Sequence, residues 1–228
     1  MMAKYRSNPV KSIVDKIIGM SGKYGPHEIF SDWIKCFAIA ISNSTTFLHN
    51  KLWQDREQMY LDTINRYNHT EQMIFTNLCA ELIQALEDDP RDILGDIYMQ
   101  IGASSKATGQ FFTPYSLSLA SAKIALEGVT ADLDGLIRMN EPSCGAGGMI
   151  IAASQVLWTE HHVNYQKYMD VVAQDLEWRC VYMCYVQLSL LGIKALCVQG
   201  DTLSNPYIQG CTPKENILVT PAKAGLLI

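Results

Sequence analysis

The sequence lacks two features that would assign it to a membrane or to a strongly basic DNA-binding class. No apolar run is long enough to cross a bilayer, and Cys36 to Ile41 suits only one buried helical segment. There is also no surplus of positive charge, because 18 Lys and Arg residues face 23 Asp and Glu residues, for a net charge of −5. This balance argues against a strong grip on nucleic acid by this chain alone. A protein of this kind that acts on DNA would need a local basic patch or a partner.

Paired cysteines and metal-ligand clusters are lacking as well. The seven cysteines show no paired spacing and no signal peptide precedes them, which predicts reduced thiols in a cytoplasmic protein. Cys180 and Cys184 lie one helical turn apart, but no Cys or His pair at compatible spacing accompanies them. We therefore predict no metal site and interpret these two cysteines as buried packing.

What the sequence does contain is the composition of an ordinary soluble globular protein, with 48% hydrophobic and 18% charged residues over 228 positions. We predict an all-helical N-terminal domain over residues 1–102 and a second domain over residues 103–228. Helical periodicity indicates five helices in the first part, over about 9–19, 27–42, 47–67, 70–89 and 91–101, and one more over 116–127. Strands are then predicted at 136–140, 169–174, 195–199 and 216–220, with helices at 148–159 and 177–191 between them. This alternation predicts a parallel sheet with ligands at the carboxyl ends of its strands.

The most informative segment is Glu141-Pro142-Ser143-Cys144-Gly145-Ala146-Gly147-Gly148, which joins a predicted strand to a predicted helix. Glycines let the backbone approach a ligand closely, because no Cβ intervenes. No Gly-Lys-Ser/Thr follows, so a triphosphate cradle is not expected. The acid at the end of the strand suggests a ligand with cationic and hydroxyl groups. S-adenosylmethionine has both.

Two further acids follow predicted strands. Asp175 comes after the second strand and suits a bidentate hydrogen bond to ribose hydroxyls. Asp201 follows the third, where its carboxylate would accept a hydrogen bond from an adenine amino group. The alternative for each acid alone is a helix N-cap. In register with the glycine turn, the acids favour a nucleoside-binding sheet.

Four segments in this order resemble adenine-N6 DNA methyltransferases, in particular the modification subunits of type I restriction–modification systems. The segments are Thr-Gly-Gln-Phe-Phe-Thr-Pro (108–114), the glycine turn (141–148), Gln-Asp (174–175) and Gly-Asp-Thr-Leu (200–203). The resemblance implies an α/β fold with a Rossmann-like class I S-adenosylmethionine-dependent methyltransferase sheet, shortened at its C-terminal side and preceded by the helical domain. It also implies DNA as the substrate, reached through a partner such as a specificity subunit.

By position, the resemblance implies a set of residues that bind S-adenosylmethionine. Those on the 108–114 segment would line its methionine part, the turn would approach its amino-acid portion, Asp175 would hold the ribose, and Asp201 the adenine. The residues are Gln110, Phe111, Phe112, Thr113, Pro114, Glu141, Ser143, Cys144, Gly145, Ala146, Gly147, Gly148, Asp175, Leu176, Asp201 and Thr202. For Phe111, packing in the core is the alternative. A nucleophilic Cys144 is conceivable, but shape is the expected reason for a small residue there.

The pattern of the family breaks at its catalytic element, Asn/Asp-Pro-Pro-aromatic, which binds the target amine and stacks on a flipped base. The corresponding residues after the fourth strand are Thr220, Pro221, Ala222 and Lys223. Asn205-Pro206-Tyr207 resembles the missing element but comes before the fourth strand, so we interpret it as a turn. The strands that follow in the family are missing, which would leave the fourth strand at an edge.

Three hypotheses follow from these residues. The first is a DNA adenine-N6 methyltransferase, the second is an inactive or truncated relative that binds S-adenosylmethionine as a regulatory module, and the third is one half of a split enzyme whose sheet a second polypeptide completes.

Overall fold

The computed structural model describes residues 8–104 and 111–226. The helical N-terminal part contains α1 to α5, whose bounds are Pro9–Gly19, Pro26–Ser44, Lys51–Ile64, His69–Asp88 and Ile93–Ser104. The sheet part contains helix α6 (Tyr115–Leu126), strand β1 (Ile137–Glu141), helices α7 (Gly148–Thr159) and α8 (Tyr165–Tyr168), strand β2 (Met169–Asp175), helix α9 (Trp178–Leu190), and strands β3 (Lys194–Gln199) and β4 (Ile217–Val219). A short 3₁₀ turn, Lys214–Asn216, precedes β4.

Side-chain caps determine where several helices begin. The Asn8 side chain accepts hydrogen bonds from the first backbone N–H groups of α1, and Pro9 occupies its first turn. A reciprocal capping box between Asn68 and Glu71 starts α4. Asn50 caps α3, which is shorter at both ends than predicted. Helix α6 begins at Tyr115, directly after Pro114 and one residue before its predicted start.

The sheet has the order β1-β2-β3-β4. The first three strands are parallel, with Glu141 opposite Ala173 and Asp175 opposite Gln199. This arrangement confirms the α/β fold with a Rossmann-like sheet and brings the carboxyl ends of β1 and β2 together. Strand β4 is antiparallel to β3, so the prediction of a fully parallel sheet is wrong for this strand.

The direction of β4 follows from the connection before it. Parallel neighbours need a crossover, usually a helix, that returns the chain to the starting edge of the sheet. The connection over residues 200–216 contains turns and one 3₁₀ turn but no α-helix. Its backbone also stays at the carboxyl edge, since the Gln174 side chain donates to the Asn205 carbonyl at 2.9 Å and accepts from the Tyr207 N–H at 3.0 Å. The chain therefore runs back along β3 in the opposite direction.

One continuous hydrophobic core joins the helical part to the sheet part. Helix α9 is buried along most of its length and packs against α2 as well as against β2 and β3. Tyr185 and Leu188 of this helix are buried, and so are Cys180 and Cys184, as predicted. The predicted division near residues 102–110 stays a prediction, because residues 105–110 lie outside the described part of the chain.

The helical part also covers the edge of β4. Arg56 of α3 donates one guanidinium N–H to the Ile217 carbonyl at 2.8 Å and another to the Ser42 hydroxyl at 2.9 Å. Strand β4 thus forms one edge of the sheet, as expected, and Arg56 occupies one of its backbone acceptors.

Candidate functional site

A cavity of about 310 Å³ lies where β1 and β2 end, between the glycine turn and the segments that flank α5 and α6. Residues from both parts of the chain line it. They are Asp92, Phe111, Phe112, Thr113, Ser118, Ser143, Cys144, Gly145, Ala146, Gly148, Met149 and Asp175. This volume is at the lower end of the range of small-molecule sites. Nine of these twelve residues belong to the set that the sequence predicts.

The glycine turn requires glycine for two physical reasons. Gly145 and Gly147 have φ values of 52° and 96°, a region that side chains with a Cβ rarely adopt. Neighbours also leave little room: a Cβ at Gly145 would lie 3.0 Å from the Phe112 ring, and one at Gly147 would lie 3.2 Å from Cys184 Sγ. The turn therefore packs between Phe112 on one side and α9 on the other, and its backbone forms a wall of the cavity.

Asp175 fixes the turn to the end of β2. Its Oδ2 accepts a hydrogen bond from the Gly145 N–H at 2.9 Å, and its Oδ1 accepts one from the Glu177 N–H at 3.0 Å. A carboxylate offers about four acceptor positions, and these two bonds use two of them. The alternative that Asp175 is a helix N-cap is wrong, because α9 begins at Trp178 and its N-cap is Glu177. Asp175 instead lines the cavity.

Carboxyl groups lie in the cavity and at its rim. Asp92 lines the cavity and is almost fully buried, and burial raises the pKa of its carboxyl. Burial also raises the pKa of Glu141 at the end of β1, and the nearby charge of Asp175 adds to that increase. None of the described residues that line the cavity is Lys or Arg. This site is suited to a ligand with a cationic group.

One buried hydroxyl of the lining has no hydrogen-bond partner in the described part of the chain. Ser118 of α6 is 1% exposed, and its buried hydroxyl makes no hydrogen bond within the described residues. A buried hydroxyl without a partner is costly. Its position in the lining offers a hydrogen-bond donor to a ligand.

The two phenylalanines of the 108–114 segment differ in their surroundings. Phe112 is partly buried and makes an edge contact with Tyr98, with 5.1 Å between the ring centroids. Phe111 is 77% exposed while it lines the cavity, so the alternative that it packs in the core is wrong.

Several predicted site residues lie outside the lining. Six of them are described but do not line the cavity, namely Pro114, Glu141, Gly147, Leu176, Asp201 and Thr202. Gln110 lies outside the described residues. Asp201 is exposed and caps its own turn, accepting from the Leu203 N–H at 2.9 Å and from the Ser204 hydroxyl at 2.9 Å. These bonds lower the pKa of Asp201. The Thr202 hydroxyl donates to the Pro142 carbonyl at 2.6 Å, which holds this loop against the glycine turn.

The residues expected at the catalytic element lie at the opposite end of the sheet from the cavity, where strands β2 and β3 begin. Thr220 is fully buried; its hydroxyl accepts from the Ala195 N–H at 2.9 Å and donates to the Ile193 carbonyl at 2.8 Å. The Lys223 ammonium pairs with Asp170, at the start of β2, at 2.6 Å. Because β4 is antiparallel, residues 220–223 follow it to the amino-terminal edge of β2 and β3, away from the cavity.

Sequence reasoning missed three lining residues, Asp92, Met149 and Ser118, and one buried residue behind them, Gln187. Two signals were available. Asp92 stands three residues before Gly95 at the start of a helix, in the spacing of an N-cap. Gln187 is a long polar side chain inside the apolar segment 180–191.

Nucleophilic chemistry at Cys144 finds no support. A hydrogen bond with Cys184, together with burial, raises the pKa of its thiol well above the ordinary value, which keeps it protonated. Among the described residues, no three His, Cys, Asp or Glu side chains are grouped so as to hold a metal ion. No helix in the described ranges is long and apolar enough to span a membrane.

Comparisons with known proteins assign the family. The model of the family described as N-6 DNA Methylase matches residues 89–222, which is more than half of the chain and includes the cavity. No curated protein matches significantly in sequence.

Two solved structures resemble the fold. One is described as a candidate class I S-adenosylmethionine-dependent methyltransferase from Listeria monocytogenes (TM-score 0.47, 11% identity, covering 93% of this chain and 65% of that one). The other is the methyltransferase subunit of a type I restriction–modification system from Streptococcus thermophilus (TM-score 0.45, 16% identity, covering 89% of this chain and 44% of that one). The chain thus spans less than two thirds of the length of either structure. On the family match, this chain belongs to the N-6 DNA Methylase family of methyltransferases.

Proposed function

We propose that this chain binds S-adenosylmethionine in the cavity at the ends of β1 and β2, and that it acts in adenine-N6 methylation of DNA as a protein of the type I modification-subunit kind. The observation that carries the proposal is the buried Ser118 hydroxyl, which lacks a partner among the described residues and belongs to a residue that lines a cavity whose charged lining is acidic. S-adenosylmethionine combines cationic groups for such acids with a carboxylate that a hydroxyl would bind.

The residues of the cavity fit the parts of this ligand. Asp175 keeps acceptor positions for a pair of ribose hydroxyls, and Asp92 and Glu141 supply negative charge toward a sulfonium and an ammonium. Ser118 and Thr113 offer hydroxyl donors to the carboxylate. The Phe112 ring packs on the glycine turn, where it forms an apolar wall. The predicted contact between Asp201 and the adenine amino group has the least support, since Asp201 lies outside the lining.

Bound S-adenosylmethionine would supply the methyl group, which adenine N6 would take from the sulfonium by in-line attack, with loss of a proton. The contribution of this chain would be to bind and orient the cofactor. Target recognition and DNA contact would come through a partner, such as a specificity subunit or a second polypeptide that completes the sheet, because the chain carries a net charge of −5.

A second candidate function is a module that binds S-adenosylmethionine without transferring its methyl group. The position of Thr220 and Lys223 favours it, since both lie at the amino-terminal edge of the sheet and are occupied by buried hydrogen bonds and an ion pair. Nothing of that segment reaches the cavity to bind a target base.

Two measurements on the same preparations test the proposal. Calorimetric titration with S-adenosylmethionine should saturate for the wild type and be weakened about tenfold or more in Asp175→Ala, because hydrogen bonds to a charged group are lost. Asp170→Ala is the matched control, since this aspartate lies on the same strand at the opposite edge. A wild type without saturable heat would contradict both candidate functions.

Labelled methyl transfer to duplex DNA then separates the two candidates. Incorporation of label by the chain, alone or with a partner subunit, supports the methyltransferase. Binding without incorporation under either condition supports the module.

A further inference from the structure

We infer that Gln187 is a positioning residue that ties the start of α5, in the helical part, to the glycine turn of the cofactor cavity, so that the order of these two segments and cofactor binding depend on each other. The part that concerns the cofactor rests on the proposed function. The link between the two segments rests on hydrogen bonds alone.

The side-chain amide of Gln187 joins three separate pieces of the chain. It lies on α9 and is fully buried. Its Nε2 donates to Asp92 Oδ1 at 2.9 Å and to the Ala146 carbonyl at 2.7 Å. Its Oε1 accepts from the N–H groups of Ile93 and Leu94 at 2.9 and 3.1 Å. Both donors and both acceptor positions of the amide are therefore in use.

Further contacts fix the position of the Asp92 carboxylate between α5 and the glycine turn. Its Oδ1 also accepts from the Gly95 N–H at 2.8 Å, which caps the start of α5. A Cβ at Gly95 would lie 2.2 Å from Asp92 Oδ2, and one at Gly148 would lie 2.9 Å from the same atom. The two glycines leave the space that this carboxylate fills, and Gln187 fixes its orientation toward the cavity.

A displacement of Gln187 would affect the start of α5 and the glycine turn at the same time. The backbone N–H groups of α5 and the carbonyl of the glycine turn lie in the buried interior, where an unsatisfied group is costly. Loss of order in one segment would thus leave groups of the other without partners. A ligand that orders the turn would, by the same bonds, order the start of α5.

A merely structural role predicts something different. Loss of Gln187 would then lower the free energy of unfolding, while the folded fraction would bind the cofactor with unchanged affinity and the two segments would respond separately. The test therefore combines affinity with local hydrogen exchange.

Two variants separate the contribution of the Gln187 amide oxygen, which binds α5, from that of its amide nitrogen, which binds Asp92 and the glycine turn. Gln187→Met keeps the length and removes all four bonds, whereas Gln187→Glu keeps the two acceptors for α5 and replaces the donors that reach Asp92 and the turn. Gln72→Met is the matched control, because the Gln72 amide bridges the Ile64 and Tyr67 carbonyls within the helical part and touches neither segment.

Hydrogen exchange followed by mass spectrometry is measured with and without S-adenosylmethionine, and affinity is measured by calorimetry under conditions where each variant is folded. We expect about tenfold weaker binding in Gln187→Met. We also expect faster exchange of residues 93–96 and of the glycine turn together. In the wild type the cofactor should slow exchange in both segments, and in Gln187→Met it should no longer slow exchange at 93–96. Gln187→Glu should weaken binding while α5 exchanges more slowly than in Gln187→Met.

Several results would overturn the inference. These are wild-type affinity in Gln187→Met, faster exchange in only one of the two segments, or the same pattern in Gln72→Met. A wild type that does not bind S-adenosylmethionine would refute the proposed function instead, and exchange in the ligand-free variants would still decide whether Gln187 links the two segments.

Discussion

Replacement of Gly95 by alanine tests the packing around Asp92, because two opposite effects meet at this position. Gly95 is the third residue of α5, and alanine in place of glycine within a helix ordinarily stabilises by about 1 kcal/mol. Here the added Cβ would lie 2.2 Å from Asp92 Oδ2 and 2.7 Å from its Cγ, which real atoms do not tolerate. The Asp92 side chain would therefore have to leave its place.

The cost of that displacement has two components. The cap on the Gly95 N–H contributes about 1 kcal/mol. The buried Gln187 donor that would lose Asp92 costs a further 1–3 kcal/mol or so. After the gain in helix propensity is subtracted, we expect Gly95→Ala to lower the free energy of unfolding by roughly 1–3 kcal/mol. Cofactor affinity should fall as well, because the carboxylate that moves lines the cavity.

Urea denaturation followed by tryptophan fluorescence measures this change. Gly19→Ala is the control, since Gly19 ends α1 and a Cβ there would meet nothing within 4 Å. We expect that variant to be neutral or stabilised by up to about 1 kcal/mol. If Gly95→Ala were stabilised like Gly19→Ala and bound S-adenosylmethionine like the wild type, Asp92 would not be held as described.

Three further predictions concern Thr220, at the end of the sheet opposite the cavity, and the carboxyl groups of the cavity. Thr220→Val should lower the free energy of unfolding by about 1–3 kcal/mol, because a buried hydroxyl with two backbone partners is lost. Calorimetry should find the affinity for S-adenosylmethionine unchanged. A matching loss of affinity would contradict the placement of Thr220 away from the cavity. The affinity should fall as the pH is lowered into the acid range, because burial raises the pKa of Asp92 and Glu141 and these carboxylates lose their charge earlier than ordinary ones. The contribution of Asp92 to stability has the opposite sign: the free energy of unfolding should decrease as the pH rises from the ordinary aspartate range through the raised pKa, since the charged form is the one that burial penalises. A titration of affinity that is flat through the acid range would contradict the role of these acids.

Local patterns in the sequence predicted most of the elements. Helix α7 begins and ends where expected, since the glycine turn stops the strand before it and the small and apolar residues after it favour a helix. Strands β1 to β3 lie within one or two residues of their predicted bounds, because each is a short apolar run between turn residues. The short helix α8 was missed, as four residues are too few for a periodic pattern.

What the sequence did not reveal depends on contacts between distant segments. The direction of β4 is determined by the path of residues 200–216 and by the hydrogen bonds between the Gln174 side chain and the backbone of that loop. Neither feature has a local signature in the sequence. The role of Asp92 depends on Gln187, which lies 95 positions away along the chain. The resemblance identified the glycine turn and Asp175, which the structure brings to one cavity, whereas Asp201 and Thr220 depend on how the loops fold and lie elsewhere.

Binding of S-adenosylmethionine in the cavity is best decided with the variant Ser118→Ala. Calorimetric titration should show an affinity about five- to tenfold below the wild type, since one ligand hydrogen bond is lost. The free energy of unfolding should stay the same or increase, because a buried hydroxyl without a partner among the described residues is removed and alanine favours the helix. Ser116→Ala, an exposed serine of the same helix, should bind like the wild type. Equal affinity in Ser118→Ala and the wild type, or no saturable binding in either protein, would contradict the account.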